Sequence, residues 1–217
     1  MRTCILTSKF ENVFPAALAE VLREHIPKAA RFAFLASEFE KLHEKTDKYF
    51  HRFLEMFTSC GITFADACVV DGRMVPETMQ KTVQDADVVW LSGGDTPVQY
   101  GYFKKYGLVD ALRAQEGVVI GMSAGAINMA ETALCTNTCG HAVAQTYPAL
   151  GLVPFSVEPH FDKAAVAEEL LEISRECVFF GLCDEAVIIY MGEKADFIGD
   201  VFRLADGCAE QVSAADN

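Results

Sequence analysis

Short apolar runs alternate with segments of helical period along the first 130 residues. Residues 3–7 read as a strand and 15–25 as a helix. Residues 30–36, rich in Phe and Ala, form a second candidate strand. Residues 41–57 carry Phe50, Phe53, Leu54 and Phe57 at helical spacing, with His43, His51 and the charges elsewhere on the helix. A third strand is predicted over 62–70, a short helix opened by Pro76 over 76–84, and a fourth strand over 87–91. Residues 96–114 predict a helix with Thr96 as candidate N-cap and Pro97 at its first position. A fifth strand over 118–122 ends on Ser123. Such alternation implies parallel strands covered by helices on both faces and joined by right-handed crossovers.

The pattern changes beyond residue 130. Residues 132–157 contain no Asp, Glu, Lys or Arg, but do carry Asn, Gln, Thr, His141 and two prolines. This stretch reads as an excursion that lines a pocket or covers the surface. Residues 163–175 predict an amphipathic helix. Short strands follow at 178–182, 186–191, 195–198 and 201–204, separated by breaks tight enough for antiparallel hairpins. The expected architecture is a single α/β domain over 1–217: a three-layer α/β/α sandwich, its central sheet mostly parallel, with antiparallel edge strands near the C-terminus.

Composition narrows the classes of function. With 51% hydrophobic and 23% charged residues, a chain of 217 residues buries an ordinary core. Its 31 acidic and 18 basic side chains give a net charge of −13. That leaves no basic face for nucleic acid and disfavours docking on an anionic membrane. No apolar run is long enough to span a bilayer. Eight cysteines without a secretory pattern in the first residues predict free thiols in a reducing cytoplasm. Cys135, Cys139 and His141 have ligand-like spacing but no evident fourth partner, so a polar loop is expected there rather than zinc.

Candidate chemistry concentrates at strand ends. Gly121-Met122-Ser123-Ala124-Gly125 follows an apolar strand and precedes a helical pattern. A sharp strand-to-helix turn of this kind exposes a serine hydroxyl and needs small neighbours to let the backbones approach. Ser123 is therefore the candidate nucleophile, and the N–H of Ala124 a candidate oxyanion donor. Ser92-Gly93-Gly94-Asp95-Thr96 ends the preceding strand, on the edge where open parallel sheets bind ligands. Gly94, or else Gly93, is the candidate second donor. Gly93, Asp95 and Thr96 are expected against the substrate. His160, between Pro159 and Phe161, is the candidate base, with His141 in reserve and His25, His43 and His51 read as surface residues. For the carboxylate that orients the imidazole, Glu185 is favoured and Asp184 is second.

In this order the four motifs resemble the serine peptidase family of dipeptidase E and cyanophycinase, which has a class I glutamine amidotransferase-like fold. The resemblance implies Ser123 as nucleophile, His160 as base, Glu185 as third member, and backbone donors from Gly94 and Ala124. It implies hydrolysis of small peptides beside an aspartyl residue through an acyl-enzyme, with no metal or cofactor. One departure is Asp95, where the family often carries Asn after the paired glycines. A carboxylate there opposes an acidic side chain unless a cation or a helix cap offsets it, and Lys104, Lys105, Lys163 and Arg175 are the candidate cations. Competing readings are an esterase or amidase using the same serine, and an inactive ligand-binding relative. Glutamine amidotransfer is disfavoured by a serine where a cysteine is needed. Monomer and homodimer both remain open.

Overall fold

The computed structural model describes residues 2–142 and 144–213. Its first half runs β1 (Thr3–Thr7), α1 (Ala16–His25), β2 (Arg31–Leu35), α2 (His43–Ser59), β3 (Asp66–Val70), α3 (Pro76–Asp85), β4 (Val88–Leu91), α4 (Thr96–Lys105), α5 (Leu108–Ala114), β5 (Val118–Met122) and α6 (Ala124–Met129). Its second half runs β6 (Thr132–Cys135), β7 (Gln145–Pro148), β8 (Ser156–Pro159), α7 (Glu168–Ile173), β9 (Phe179–Leu182), β10 (Val187–Met191), β11 (Lys194–Ile198), β12 (Val201–Ala205) and β13 (Cys208–Ser213).

The central sheet has the order β11-β10-β1-β5-β4-β2-β3. The five strands from β1 to β3 in that order pair in parallel, and β10 and β11 close the other edge in antiparallel pairing. Helices α1 and α2 bring Leu18, Leu22, Phe53 and Phe57 onto Phe32, Phe34, Trp90 and Ile120 on one face. Helices α3 to α6 bring Met79, Val83, Phe103, Leu112 and Met129 onto Ala33, Leu35, Val89 and Val119 on the other. Burial from both sides is why these strands read as continuous apolar runs rather than alternating ones. The three-layer arrangement and mostly parallel sheet are as expected.

Several elements differ. The helix expected over 96–114 breaks into α4 and α5 at Gly107, whose φ of 67° ends the helical path. A Cβ at Gly107 would also press on the end of the Gln80 side chain, 2.7 Å from its Nε2. The cap of α4 is Asp95, which accepts from the Val98 N–H at 2.9 Å, rather than Thr96. The helix expected over 163–175 contracts to α7. The uncharged stretch is not purely loop, since β6 and β7 pair antiparallel within it. Residue 143 of that stretch lies outside the described residues. Finally, β9 and β12 do not extend the central sheet. With β8 and β13 they form a second sheet, ordered β13-β12-β9-β8, in which β8 and β9 are parallel. Among the described residues no helix is long and apolar enough to cross a membrane.

Candidate active site

Strand β5 passes into α6 through Ser123, whose φ of 51° and ψ of −112° lie outside the regions that L-residues favour. The turn is fixed by backbone hydrogen bonds. Ser123 N–H donates to Thr7 O at 2.9 Å, and Ile127 N–H donates to Ser123 O at 3.0 Å. It also needs its glycines. A Cβ at Gly121 would fall 2.7 Å from Ala126 N, and one at Gly125 would fall 2.7 Å from Leu91 Cβ. The serine thus stands at the carboxyl edge of the parallel sheet, and its Oγ lies 2.9 Å from His160 Nε2.

His160 comes from the second sheet. It follows β8 directly, at a φ of 59°. Asp184 lies two residues past Leu182 at the end of β9, and the parallel register pairs Pro159 with Leu182. The register therefore brings the two side chains together just beyond the strand ends. His160 Nδ1 lies 3.1 Å from Asp184 Oδ1. Ser8, just past β1, ties this pair to the central sheet. Its Oγ accepts the His160 backbone N–H at 2.9 Å, donates to Asp184 Oδ1 at 3.1 Å, and lies 3.2 Å from Nδ1. Lys9 Nζ sits 2.9 Å from Asp184 Oδ2. Partial burial pushes the Asp184 carboxyl up, but Lys9, His160 and Ser8 outweigh it and hold it below the ordinary carboxylate range. Lys9 is raised in turn, chiefly by its hydrogen bond to Asp184.

The carboxylate on the imidazole is thus Asp184, where Glu185 was expected. Glu185 has a φ of 66°, at which the chain turns away toward β10, and its backbone N–H donates to Lys9 O at 2.9 Å. The hydrogen-bond partners of the His160 ring are Ser8, Ser123 and Asp184.

Gly93 and Gly94 line a cavity of about 550 Å³ that opens beside Ser123 and His160. A Cβ at Gly93 would lie 3.3 Å from Ser123 Cβ, and one at Gly94 would lie 2.5 Å from Ser37 Cβ. Ala124 opens α6, where first-turn N–H groups have no intrahelical acceptor. Asp95 reaches the cavity edge while its carboxylate caps α4. Thr96 does not join the site. It is 1% exposed, its Oγ1 lies 3.3 Å from His141 Nε2, and it is not part of the cavity wall. A hydroxyl turned inward from the first turn of α4 serves packing, and the same contact occupies His141. The Cys139 thiol donates to Pro159 O at 3.3 Å, and burial pushes its pKa up. His43, read as a surface residue, instead pairs with the buried Asp71 at 3.0 Å.

The expected cations lie elsewhere. Lys105 pairs with Glu40, Lys163 pairs with Asp200 at 2.6 Å, Lys104 lies 5.2 Å from the Tyr100 ring centre, and Arg175 packs beside Gly207. The cavity wall carries Lys9, Lys45 and Arg52 instead. Ser8 and Lys9 also join the site, just past the carboxyl end of β1 and on the same edge as Ser92 and Ser123. A polar clamp that belongs to none of the four motifs holds the glycine loop. Gln99 Nε2 donates to Ser92 O at 2.8 Å, and Asn128 Nδ2 donates to both Thr96 O and Gln99 Oε1 at 3.0 Å. Tyr147 OH donates to Asn128 Oδ1 at 2.8 Å. A lone polar Asn128 in the otherwise apolar Ala-Gly-Ala-Ile-Asn-Met helix was its only trace in the sequence.

A serine, an imidazole and a carboxylate in hydrogen-bond sequence, at the carboxyl edge of a parallel α/β sheet, give the geometry of a serine hydrolase site. The chain belongs to Peptidase family S51, whose profile matches residues 9–198, and it is a serine-type peptidase of that family. It is 27% identical to the "Probable alpha-aspartyl dipeptidase" of Drosophila melanogaster over 169 residues, covering 68% of this chain and 69% of that protein. It is 24% identical over 131 residues to Peptidase E of Actinobacillus pleuropneumoniae serotype 5b (strain L20). That alignment covers 54% of this chain and 56% of the bacterial protein, so the match spans little more than half of that relative's length. In fold, the chain matches the crystal structure of a peptidase from an acI-B1 Actinobacterium with a TM-score of 0.72 at 15% identity, over 100% of this chain and 96% of that one.

Proposed function

We propose that the chain hydrolyses short peptides through an acyl-enzyme on Ser123, with His160 as general base and Asp184 as the carboxylate that orients it. The observation carrying this reading is the relay from Ser123 Oγ to His160 Nε2 at 2.9 Å and from Nδ1 to Asp184 at 3.1 Å. His160 Nε2 takes the Ser123 proton as Oγ bonds to the scissile carbonyl carbon. The backbone N–H groups of Ala124 and Gly94 receive the oxyanion. The imidazolium, held by the ionised Asp184, then protonates the leaving amine, and water cleaves the ester by the reverse route.

The finer form of this reading is cleavage beside an aspartyl residue. It draws on the name of the Drosophila relative and on Lys45 and Arg52 in the cavity wall. Asp95 at the cavity edge weighs against it. Incubation with a fluorophosphonate followed by intact mass tests the nucleophile. One adduct is expected on the native chain and none on Ser123→Ala, and a folded native chain that takes no adduct overturns the reading. Dipeptides assayed beside simple esters separate a peptidase from an esterase.

A further inference from the structure

We infer that the cavity beside Ser123 seats a large apolar side chain of the substrate, aromatic or branched aliphatic, and that this side chain contributes more selectivity than a carboxylate does. The inference rests on the reading of Ser123 as nucleophile and concerns what its cavity recognises.

The cavity floor is made by Phe10, Phe34, Phe53 and Met122. It is rigid, because Phe34 and Phe53 lie with ring centres 6.1 Å apart and Phe53 packs 4.2 Å from the buried Trp90. The rim adds exposed apolar side chains among its charged ones. Leu42, Tyr49 and Val98 are 46%, 40% and 43% exposed, and all three line the mouth. Leu42 and Tyr49 stand at the start of α2 and along it, and Val98 on α4. Exposed apolar side chains gathered around a concave apolar floor mark a binding site rather than scattered surface. At about 550 Å³ the cavity also exceeds what an aspartyl side chain would fill.

Four of the charged groups in the wall are held by the protein itself, while Arg52 Nε is buried without a hydrogen-bond partner among the described residues. Lys9 is held by Asp184. Glu38 accepts from Tyr102 OH at 2.6 Å and from Leu42 N–H at 2.9 Å. Asp95 caps α4, and Arg52 donates to Phe10 O at 3.0 Å. An acidic side chain entering beside Gly94 meets the Asp95 carboxylate, whereas an apolar one meets the exposed faces of Leu42, Tyr49 and Val98.

The test is a dipeptide series with Phe, Leu, Ala or Asp at each position in turn, assayed with the native chain, with Ser123→Ala and with the double variant Leu42→Ser/Val98→Ser. Both rim residues are exposed, so the double variant keeps its core, and circular dichroism verifies this. At one position Phe or Leu is expected to raise kcat/KM about tenfold or more over Ala. The double variant is expected to erode that ratio severalfold through KM. Equal rates for Phe, Leu and Ala at both positions, or an Asp-to-Ala ratio above the Phe-to-Ala ratio, overturn the inference. If hydrolysis still depends on Ser123, those results leave the peptidase reading intact. Absence of both hydrolysis and a fluorophosphonate adduct overturns the two together.

Discussion

Ser123 pays for its exposure in backbone strain. Its φ of 51° and ψ of −112° are open to glycine and poor for serine, a cost on the order of 1–3 kcal/mol. Ser123→Gly is expected to abolish hydrolysis while raising the unfolding midpoint, which thermal melts and parallel assays check. His160 and Glu185 also hold positive φ, at 59° and 66°. For Glu185 that conformation decides which carboxylate serves the imidazole. Asp184→Asn should lower kcat by about a hundredfold or more, because the amide neither orients nor compensates the imidazolium. Glu185→Gln should leave kcat nearly unchanged, and steady-state kinetics on the two variants separate the roles. Ser123 and His160 were legible in the sequence because each sits in a motif at a strand end. The choice between Asp184 and Glu185 was not, since two adjacent carboxylates share every sequence feature except a backbone angle. Ser8 was illegible for a related reason. Its role depends on β1 lying beside both β5 and β10, a neighbourhood created only by strand order.

Between strands and helices, the segment from Ser92 to Thr96 is the part that must hold still. Gln99 fixes the Ser92 carbonyl, Asn128 fixes the Thr96 carbonyl, and Asn128 belongs to the helix that Ser123 introduces. The glycine loop and the nucleophile turn are therefore braced against each other. Asn128→Ala should lower kcat roughly tenfold with little change in KM. It should also cost about 1–3 kcal/mol of stability, as the buried Thr96 carbonyl loses its donor. Strand β8 carries a second buried group, Glu158. It accepts from Thr136 at 2.8 Å and from Thr138 at 2.5 Å, yet burial still raises it above the ordinary 4.5. The folded state then binds more protons than the unfolded one, so stability falls as pH rises through the raised value. Urea melts across that range should show this slope in the native chain and a flatter one in Glu158→Gln. The elements of the first half were readable from periodicity, since a doubly buried parallel strand leaves a continuous apolar run. The break at Gly107 was hidden by a helical pattern on both sides, and β7 by its exposed Gln-Thr-Tyr-Pro sequence.

Over the whole molecule, a net charge of −13 repels acidic substrates and does little to neutral ones, which agrees with an apolar recognition pocket. A division of the molecule matters more. Ser123 belongs to the central sheet, while His160 and Asp184 follow β8 and β9 of the second sheet. Ser8 and Lys9 are the polar groups that bridge from the first sheet to that pair. The relay therefore crosses the seam between the sheets, where Val157, Leu182 and Val201 of the second share a core with Leu6 and Ile188 of the first. The single tryptophan, Trp90, is buried in the central sheet and reports on that half alone. In a urea titration, hydrolysis should disappear at lower denaturant than the shift in Trp90 emission, and coincident curves would show that the sheets melt as one unit. Activity in this chain then gauges how the two sheets seat against each other.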